Sequence, residues 1–429
     1  MAKRKSSSRT FKKDYEKQLN YIDHNRKRFT VDQEKQIRTG GKIKPSDVIR
    51  ILSTKTDGTL DDILWDYNAD YSVPSFTAQR DRLDISAITN LITWTYKNGS
   101  QNKTWSGYHI FAGDGSDVTA EASKMPEKYI YSTKTGDKYV LMHVNTLYDV
   151  MNNLYVASSV VPKRKEGEIA QMKKIVATTQ FPQNSIIVLD RGFCSVGLIY
   201  DCIQNGVDIC VRMRLRWLDC INNLPNEEID QVKDYTFTTH QNKQTMNLKK
   251  EGKISFVHQS DVSFTDTVTF TLRVVKFQLD NGDWETLVTT ITDQKRFPLD
   301  KMKALYKLRW SVETSYRFLK YRIGMIKLHA RKLNAVTLEL YAKILGFNLC
   351  FAIINMADIN WHESKYKLKI NISKALHRVL SFFREKEWLK PPIEYEISKY
   401  VWPVVDNKKS PKRKKRINLF VPDMQYRAA

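Results

Sequence analysis

The sequence has few of the residues that mark secreted, zinc-binding or membrane-spanning proteins. Only five cysteines occur in 429 residues, and none forms a CxxC pair or a Cys/His cluster with zinc-ligand spacing. The charged N-terminus is not followed by the apolar stretch of a signal peptide. The most apolar segment, residues 340–357, is interrupted by polar residues and is slightly short for a bilayer. We therefore expect a reduced, cytoplasmic protein with a buried core helix and no membrane role.

What the sequence does contain is positive charge. Seventy Lys and Arg against 47 Asp and Glu leave a formal net charge of +23. The apolar fraction of 41% is that of an ordinary globular protein, and the length predicts two or three domains. An excess of this size makes a polyanion the expected partner, and nucleic acid is the first candidate.

The N-terminal hundred residues divide into two predicted parts. The first fifty residues carry 15 Lys and Arg against six acids without apolar periodicity, so residues 1–45 are predicted to form a flexible basic arm. Residues 46–104 predict short packed helices, with a break at 71–74 and a third helix capped by Ser75. That helix carries Gln79, Arg80 and Arg82, as the DNA-contacting helix of a helix-turn-helix module would. A plain helical hairpin would give the same pattern.

From residue 105 the pattern predicts a mixed α/β sheet. Three strand candidates are followed by helix, strand, helix and strand in alternation. The strands are predicted at 108–112, 139–144, 154–157, 185–189 and 208–213, and the helices at 166–178 and 196–204. Residues 216–298 alternate like strands and predict a β-rich insertion, residues 299–360 are mostly helical, and residues 361–429 form a C-terminal region with a basic tail at 408–416.

Two aspartates stand where apolar strand candidates end. Asp114 and Asp190 are each followed by a glycine within two residues. A carboxylate on a rigid strand end that faces a cleft can bind a divalent cation. Asp and Gly also simply begin turns, so each position alone is ambiguous. Asp117 is an alternative ligand, but the predicted strand end favours Asp114.

One helix candidate carries a polar stripe. At about 100° per residue, Tyr306, Arg309, Glu313 and Lys320 fall within roughly 60° of one another along about 21 Å. Leucine and valine gather on a neighbouring arc, which places the stripe at the margin of the buried surface. Glu313 is then a partly shielded carboxylate between cations, although a solvated charged face would show the same spacing.

The spacing Tyr-x2-Arg-x3-Glu-x6-Lys matches the YREK signature, so the chain resembles the bacterial insertion-sequence DDE transposases of the family numbered four. Asp114 and Asp190 resemble that family's two catalytic aspartates. The resemblance implies a ribonuclease-H-like mixed-sheet core, residues 105–215 and 299–360, interrupted by the β-rich insertion and preceded by an α-helical DNA-binding domain. It also implies that Asp114, Asp190 and Glu313 are catalytic and hold two Mg²⁺ ions, for which Mn²⁺ can substitute.

The same resemblance gives roles to neighbouring residues. Tyr306, Arg309 and Lys320 would grip phosphates near the end of the element, and Trp284 would hold an unstacked end base. A cross-strand core aromatic is the alternative for Trp284. Arg212, Arg214 and Arg216 alternate along a strand and could follow a DNA backbone, or form a solvated strand face.

The predicted protein is a transposase that binds the terminal inverted repeats of an insertion sequence, cleaves them and joins them to target DNA. Its partners are double-stranded DNA, both element ends and target, and a second protomer in the synaptic complex. We expect it to be located in the bacterial cytoplasm, associated with the nucleoid. The alternatives are a ribonuclease-H-like nuclease without strand transfer and a domesticated DNA-binding protein that has lost its chemistry.

Overall fold

The computed structural model describes residues 7–32, 41–214, 218, 221, 223–357, 368–384 and 392–403. Over these ranges the chain has a mixed α/β architecture in which helices cover a large mixed sheet. The predicted mixed α/β sheet is confirmed. Arg216 and the predicted basic tail at 408–416 lie outside the described residues.

Five helices precede the sheet. They are α1 (Ser8–His24), α2 (Pro45–Thr54), α3 (Leu60–Asp66), α4 (Val73–Arg80) and α5 (Ser86–Gly99). Helix α4 begins earlier than predicted, because Ser72 and not Ser75 is its N-cap. Pro74 lies in the first turn, where its missing N–H costs no hydrogen bond, so it helps to start the helix that it was expected to delay.

Helix α1 occupies much of the segment that was predicted to be a flexible arm. Phe11, Tyr15, Leu19 and Ile22 are spaced at three and four residues and are all buried. Phe11 and Tyr15 of this stripe contact Phe383 of helix α12 (Ile372–Arg384), and Tyr15 and Phe383 meet edge to face at 5.6 Å. The prediction of a flexible arm is therefore wrong from Ser8 to His24. The many charged residues between the apolar ones made their helical spacing hard to recognise in the sequence.

Within the described residues, the sheet has ten strands. Its strands are β1 (His109–Glu121), β2 (Ile130–Ser132), β3 (Lys138–Asp149), β4 (Leu154–Pro162), β5 (Ser185–Leu189), β6 (Asp208–Arg212), β7 (Ile229–Thr238), β8 (Ser255–Phe256), β9 (Val268–Gln278) and β10 (Trp284–Thr289). Strands β2 and β4 both pair with β3, and the order continues β3-β1-β5-β6-β10-β9-β7-β8. β1, β5 and β6 run parallel, whereas β3 and β10 are antiparallel to their neighbours.

The strands of the predicted β-rich insertion extend this same sheet. Strand β10 pairs with β6 through Leu287 and Arg212, and β9 and β7 follow outward. Helix α8 (Lys243–Lys250) lies between β7 and β8 in the chain. The insertion therefore continues the sheet from β6 and does not form a sheet of its own.

Helices cover both faces of the sheet. Residues of α6 (Glu168–Thr178) and α7 (Val196–Gln204) pack with Phe111, Ile187 and Leu189, and we call this side the α6 face. The alternate residues Ile110, Ala112 and Val188 pack on the other side, the α11 face, with helix α11 (Leu333–Ile354). Because successive side chains of a strand point to opposite sides, this alternation assigns each later strand residue to one face.

The remaining helices are α9 (Leu299–Lys307), α10 (Trp310–Tyr321) and α13 (Ile393–Lys399), and a short ribbon pairs β11 (Leu368–Ile370) with β12 (Val401–Pro403). Helix α11 is long and apolar enough to cross a membrane by length and composition alone, but its apolar window is wholly buried inside the protein. It is the central core helix that the sequence predicted.

Candidate active site

Asp114 and Asp190 come from neighbouring parallel strands. The pairing of β1 with β5 ends at Ala112 and Val188, and each aspartate follows two residues later. Ala112 and Val188 point to the α11 face, so the alternation of side chains places both aspartates on that face, at the edge where the carboxyl ends of the strands meet. Asp190 caps a short turn by accepting the Gly192 N–H at 2.8 Å. The two carboxylates are therefore presented side by side.

Asp114 differs from its prediction in one respect. Strand β1 does not end at Ala112 but continues to Glu121, with Asp114 opposite Thr146 of β3. Glycine and aspartate usually begin turns, yet here the β3 ladder holds them extended. What ends at Ala112 is the pairing with β5, which leaves the Asp114 side open to the site.

Glu313 approaches from a helix that packs on β1. The continuous helix predicted over 305–320 is broken, because Arg309 N–H donates to the Tyr306 carbonyl and Val312 N–H to the Arg309 carbonyl, three residues back instead of four. Helix α10 then starts at Trp310 and carries Glu313 in its first turn. Tyr306 therefore belongs to α9, and the predicted stripe crosses a tight turn.

The Asp114 carboxylate is close enough to Asp190 and Glu313 for their charges to act on it. Burial raises the pKa of Asp114 to about 6; the Gly115 N–H works against this rise, and the charges of Asp190 and Glu313 add to it. Arg309 opposes the repulsion and forms an ion pair with Glu313, Nη1 to Oε1 at 2.9 Å. The structure thus places Asp190 and Glu313 near Asp114, and the catalytic role of the three acids stays a prediction.

Tyr316, which the sequence analysis did not select, anchors the glutamate helix to the strands. Its hydroxyl lies 2.9 Å from the carbonyl oxygen of Asp114, 2.8 Å from that of Val144 and 2.9 Å from the Thr146 hydroxyl. The ring is buried. Because the contact reaches the backbone of Asp114 itself, it sets the distance between α10 and the first aspartate.

Tyr316→Phe is expected to lower the cleavage rate roughly ten- to a hundredfold with little change in DNA affinity, because small misplacements of reacting groups have large effects on rate. Losing the buried hydroxyl should also lower the free energy of unfolding by about 1–3 kcal/mol. Single-turnover kinetics and thermal melting measure the two effects. Tyr148→Phe is the matched control, since the Tyr148 hydroxyl bonds Asn153 at 3.0 Å. Equal rates for both variants would contradict the anchoring role.

Arg309 lies at the centre of the cationic part of the site. Its guanidinium stacks on Trp310 at 4.5 Å, only 5% of the residue is exposed, and Nε has no hydrogen-bond partner among the described residues. Tyr306 lies beside it, with 5.8 Å from the guanidinium to the ring centre. A buried donor without a partner is suited to an incoming anion.

Another acid near this edge, Glu285 of β10, was missed by the sequence analysis. It is buried and pairs with Arg212, Nε to Oε2 at 3.3 Å. Burial raises the pKa of Glu285, and the charges of Arg212 and Arg309 oppose the rise. Arg212, predicted to follow a DNA backbone, thus has a carboxylate partner at this edge, and Arg214 is exposed.

Lys320 and Asp117 meet on β1, away from the three acids. Lys320 Nζ donates to the backbone carbonyl of Asp117 at 2.9 Å. The Asp117 side chain alternates onto the α6 face and receives hydrogen bonds from His143, at 2.7 Å, and from Lys163. Burial would raise the pKa of Asp117, but these two bonds outweigh it and lower the pKa. This separation supports Asp114 over Asp117 as the partner of Asp190.

Trp284 lies at the same edge of the sheet on the opposite face. It starts β10, three residues before Leu287, which pairs with the end of β6. Leu287 packs on the α11 face, so alternation places Trp284 on the α6 face, with Lys276 Nζ 5.8 Å from its ring centre. The structure therefore does not put Trp284 beside the acids, and its base-holding role stays a prediction.

The predicted DNA-contacting role of Arg80 is wrong in this structure. Arg80 is 5% exposed and pairs with Glu339 of α11 at 3.2 Å. Lys55, also buried, lies 3.5 Å from the same carboxylate. Periodicity along one helix cannot show a partner 259 residues away. Gln79 and Arg82 are half-buried, and their roles stay predictions.

Glu339→Gln is expected to lower the free energy of unfolding by about 3–5 kcal/mol, because it leaves buried cations unpaired. Burial would raise the pKa of Glu339, but Lys55, Arg80 and His329 hold it at about 2, below the ordinary 4.5. The stabilisation is therefore present above pH 4.5 and is lost as the pH falls towards 2. Denaturant melts over this range measure it, with exposed Glu127→Gln as control. A melt that does not change would contradict the burial argument.

The acids suit a divalent cation by their chemistry. Carboxylate oxygens are the ligands that hard divalent ions prefer, and such an ion relieves the mutual repulsion of Asp114, Asp190 and Glu313. As placed, no group of three His, Cys, Asp or Glu side chains within the described ranges is close enough to hold a metal. Glu313 is engaged by Arg309 instead.

A mixed sheet that presents Asp114 and Asp190 at one edge, with Glu313 on a helix beside them, has the type of side chains that metal-dependent phosphodiester chemistry uses. Comparison with known proteins is more specific. The family described as the transposase DDE domain matches residues 105–349, more than half of the chain, so the protein belongs to that family. DDE transposases generally act with divalent metal ions.

Two curated relatives are similar in sequence. The transposase InsG for insertion sequence element IS4 of Escherichia coli strain K12 is 24% identical over 310 residues, which are 69% of this chain and 65% of that protein. A putative transposase for insertion sequence element IS4SA of Synechocystis sp. strain PCC 6803 is 24% identical over 39% of this chain and 40% of its own length. The chain thus spans less than two thirds of either relative. The resemblance inferred from the YREK spacing is confirmed.

A solved structure is similar as well. The cryo-EM structure of piggyBac transposase in a synaptic complex with hairpin DNA has a TM-score of 0.42 and 13% identity, covering 92% of this chain and 84% of that chain.

Proposed function

We propose that the protein is the transposase of an insertion sequence, which binds the terminal inverted repeats, cleaves the DNA strands there and joins them to target DNA. The observation that carries the proposal is the position of Asp114 and Asp190 at one sheet edge, with Glu313 on the helix beside them, in a chain that belongs to the transposase DDE family. The order β4-β3-β1-β5-β6, with three antiparallel strands followed by two parallel ones, supports a ribonuclease-H-like core.

The residues divide the chemistry between them. Asp114, Asp190 and Glu313 would hold two Mg²⁺ ions, or Mn²⁺ in their place, and the ions supply an activated water or 3′-hydroxyl and stabilise the leaving oxygen. Arg309 binds the DNA phosphate next to the scissile bond with Tyr306 beside it, and Lys320 binds a phosphate farther along α10. Tyr316 keeps Glu313 in register with Asp114. Trp284 and the N-terminal helices with Gln79 and Arg82 add contacts to the DNA end.

The assembly follows from the substrate. An insertion sequence has two ends, and one set of three acids processes one end at a time, so two protomers act together on DNA. A net charge of +23 on the chain supports binding to both element ends and target, in the bacterial nucleoid.

The direct experiment incubates the protein with Mg²⁺ and a duplex that carries the inverted repeats flanking its gene. We expect cleavage at the repeat ends and joining of the freed 3′ ends to a second duplex. A duplex with scrambled repeats is the control. Cleavage without joining would instead identify a nuclease, and binding without cleavage a DNA-binding protein that has lost its chemistry.

Binding to duplex DNA is expected to weaken steeply with salt. Each phosphate that a Lys or Arg neutralises releases counterions, so eight contacts would give a slope of about −7 in log affinity against log salt. Fluorescence anisotropy from low to physiological salt measures the slope. A nearly flat dependence would remove the nucleic-acid interpretation.

A further inference from the structure

A second group of titratable side chains borders the site from the α6 face. Asp117, His143 and Glu168 form a chain in which the His143 ring lies between two carboxylates. Nδ1 is 2.7 Å from Asp117 Oδ1, and Nε2 is 3.3 Å from Glu168 Oε1. His143 is 2% exposed, and its Nε2 has no aligned hydrogen bond among the described residues.

The glycine after Asp114 makes room for His143 and Glu168, and the glycine after Asp190 lies in ordinary contact distance of Glu168. A Cβ atom at Gly115 would lie 2.6 Å from His143 Nε2 and 2.9 Å from Glu168 Oε1, closer than real Cβ contacts allow. A Cβ at Gly192 would lie 3.0 Å from Asp190 Oδ1 and 3.8 Å from Glu168 Oε2. The carboxylate of Glu168 therefore lies between the segments that carry Asp114 and Asp190.

The backbone of Glu168 is held by a neighbouring strand. Glu168 is the first residue of α6, and its carbonyl accepts a hydrogen bond from Asn145 Nδ2 at 2.9 Å. Asn145 is buried on β3 directly opposite Gly115. The side chain itself remains 43% exposed, so its second oxygen can meet a ligand from solvent.

From this geometry we infer that Glu168 is a fourth acid of the active site, which binds a divalent cation or a water on that cation beside Asp190. The inference rests on the proposed function. A glutamate at the start of a helix is also favourable by itself. That role would not require a glycine at position 115 or a buried histidine against the Glu168 carboxylate.

The test is Mn²⁺ binding to the full-length protein, followed by electron paramagnetic resonance of the free ion. Glu168→Gln is expected to weaken Mn²⁺ binding about tenfold or more, since such partners typically contribute ten- to a hundredfold. Glu166→Gln is the matched control on the same segment, because Glu166 pairs with Lys174 at 2.5 Å instead. Thermal melting checks that each variant is folded. Glu168→Asp keeps the charge but has a shorter side chain, so it should bind Mn²⁺ several-fold more weakly than the wild type.

Asp190→Asn separates the two ways of failing. If Asp190→Asn loses Mn²⁺ binding while Glu168→Gln and Glu168→Asp bind like the wild type, the inference about Glu168 is wrong and the proposed function stands. If Asp190→Asn also binds Mn²⁺ normally, the proposed metal site fails together with the inference.

Discussion

Asp190→Asn is expected to reduce DNA cleavage at least a thousandfold while DNA is retained in a gel-shift assay. The amide can still accept the Gly192 N–H, so the turn after β5 should keep its shape. What is lost is the negative charge that a divalent cation needs, and the metal carries the chemical step. DNA affinity comes from many distributed cations and should change little.

The matched control is Asp234→Asn, an exposed aspartate of β7 that bonds Thr271 at 2.6 Å. It should cleave normally. Asp114→Asn and Glu313→Gln should resemble Asp190→Asn. Normal cleavage by Asp190→Asn would refute the site, and normal cleavage by Asp114→Asn together with loss in Asp117→Asn would move the first acid to Asp117.

Arg309→Ala should fail in a different way from Glu313→Gln. Removing the guanidinium leaves the three acids in place, so Mn²⁺ binding should survive, but the DNA end loses the cation expected at its phosphate. Misplacement of the scissile bond should lower cleavage of intact ends about a hundredfold. Lys320→Ala should act in the same direction, since its ammonium ties α10 to β1 at the Asp117 carbonyl.

The comparison measures Mn²⁺ affinity together with cleavage of intact and pre-cut ends. Arg317→Ala is the control, because Arg317 is exposed on the outer side of the same helix. We expect the Arg309 and Lys320 variants to keep metal binding and lose stable engagement of the end, and Glu313→Gln to do the reverse. Normal cleavage and joining by Arg309→Ala would make the spacing a coincidence on a solvated helix face.

The local sequence pattern predicted an element correctly where the element and its ends are determined by neighbouring residues. The apolar run 185–189 followed by Asp-Arg-Gly gave strand β5 and the position of Asp190, and the predicted helix 196–204 coincides with α7. Asp190 and Glu313 were selected from a strand end and from helical spacing in the same way, and their catalytic role stays a prediction. In each case a few neighbouring residues determine the structure.

Local pattern failed where a distant partner decides the conformation. Gly113 to Ser116 look like a turn, but the β3 ladder keeps them extended. Arg80 was predicted to contact DNA, but in the folded chain it forms an ion pair with the buried Glu339. Glu168 lies more than fifty residues from Asp114 and has no motif, so only the folded chain brings it to the site.

The central claim is that Asp114, Asp190 and Glu313 form one metal site at the edge of the sheet. Anomalous diffraction at the manganese edge, from crystals of the protein with an end duplex and Mn²⁺, tests it most directly. The account predicts anomalous density bounded by these three carboxylates, and loss of that density in Asp190→Asn. Manganese bound elsewhere, with no density between Asp114 and Asp190, would contradict it.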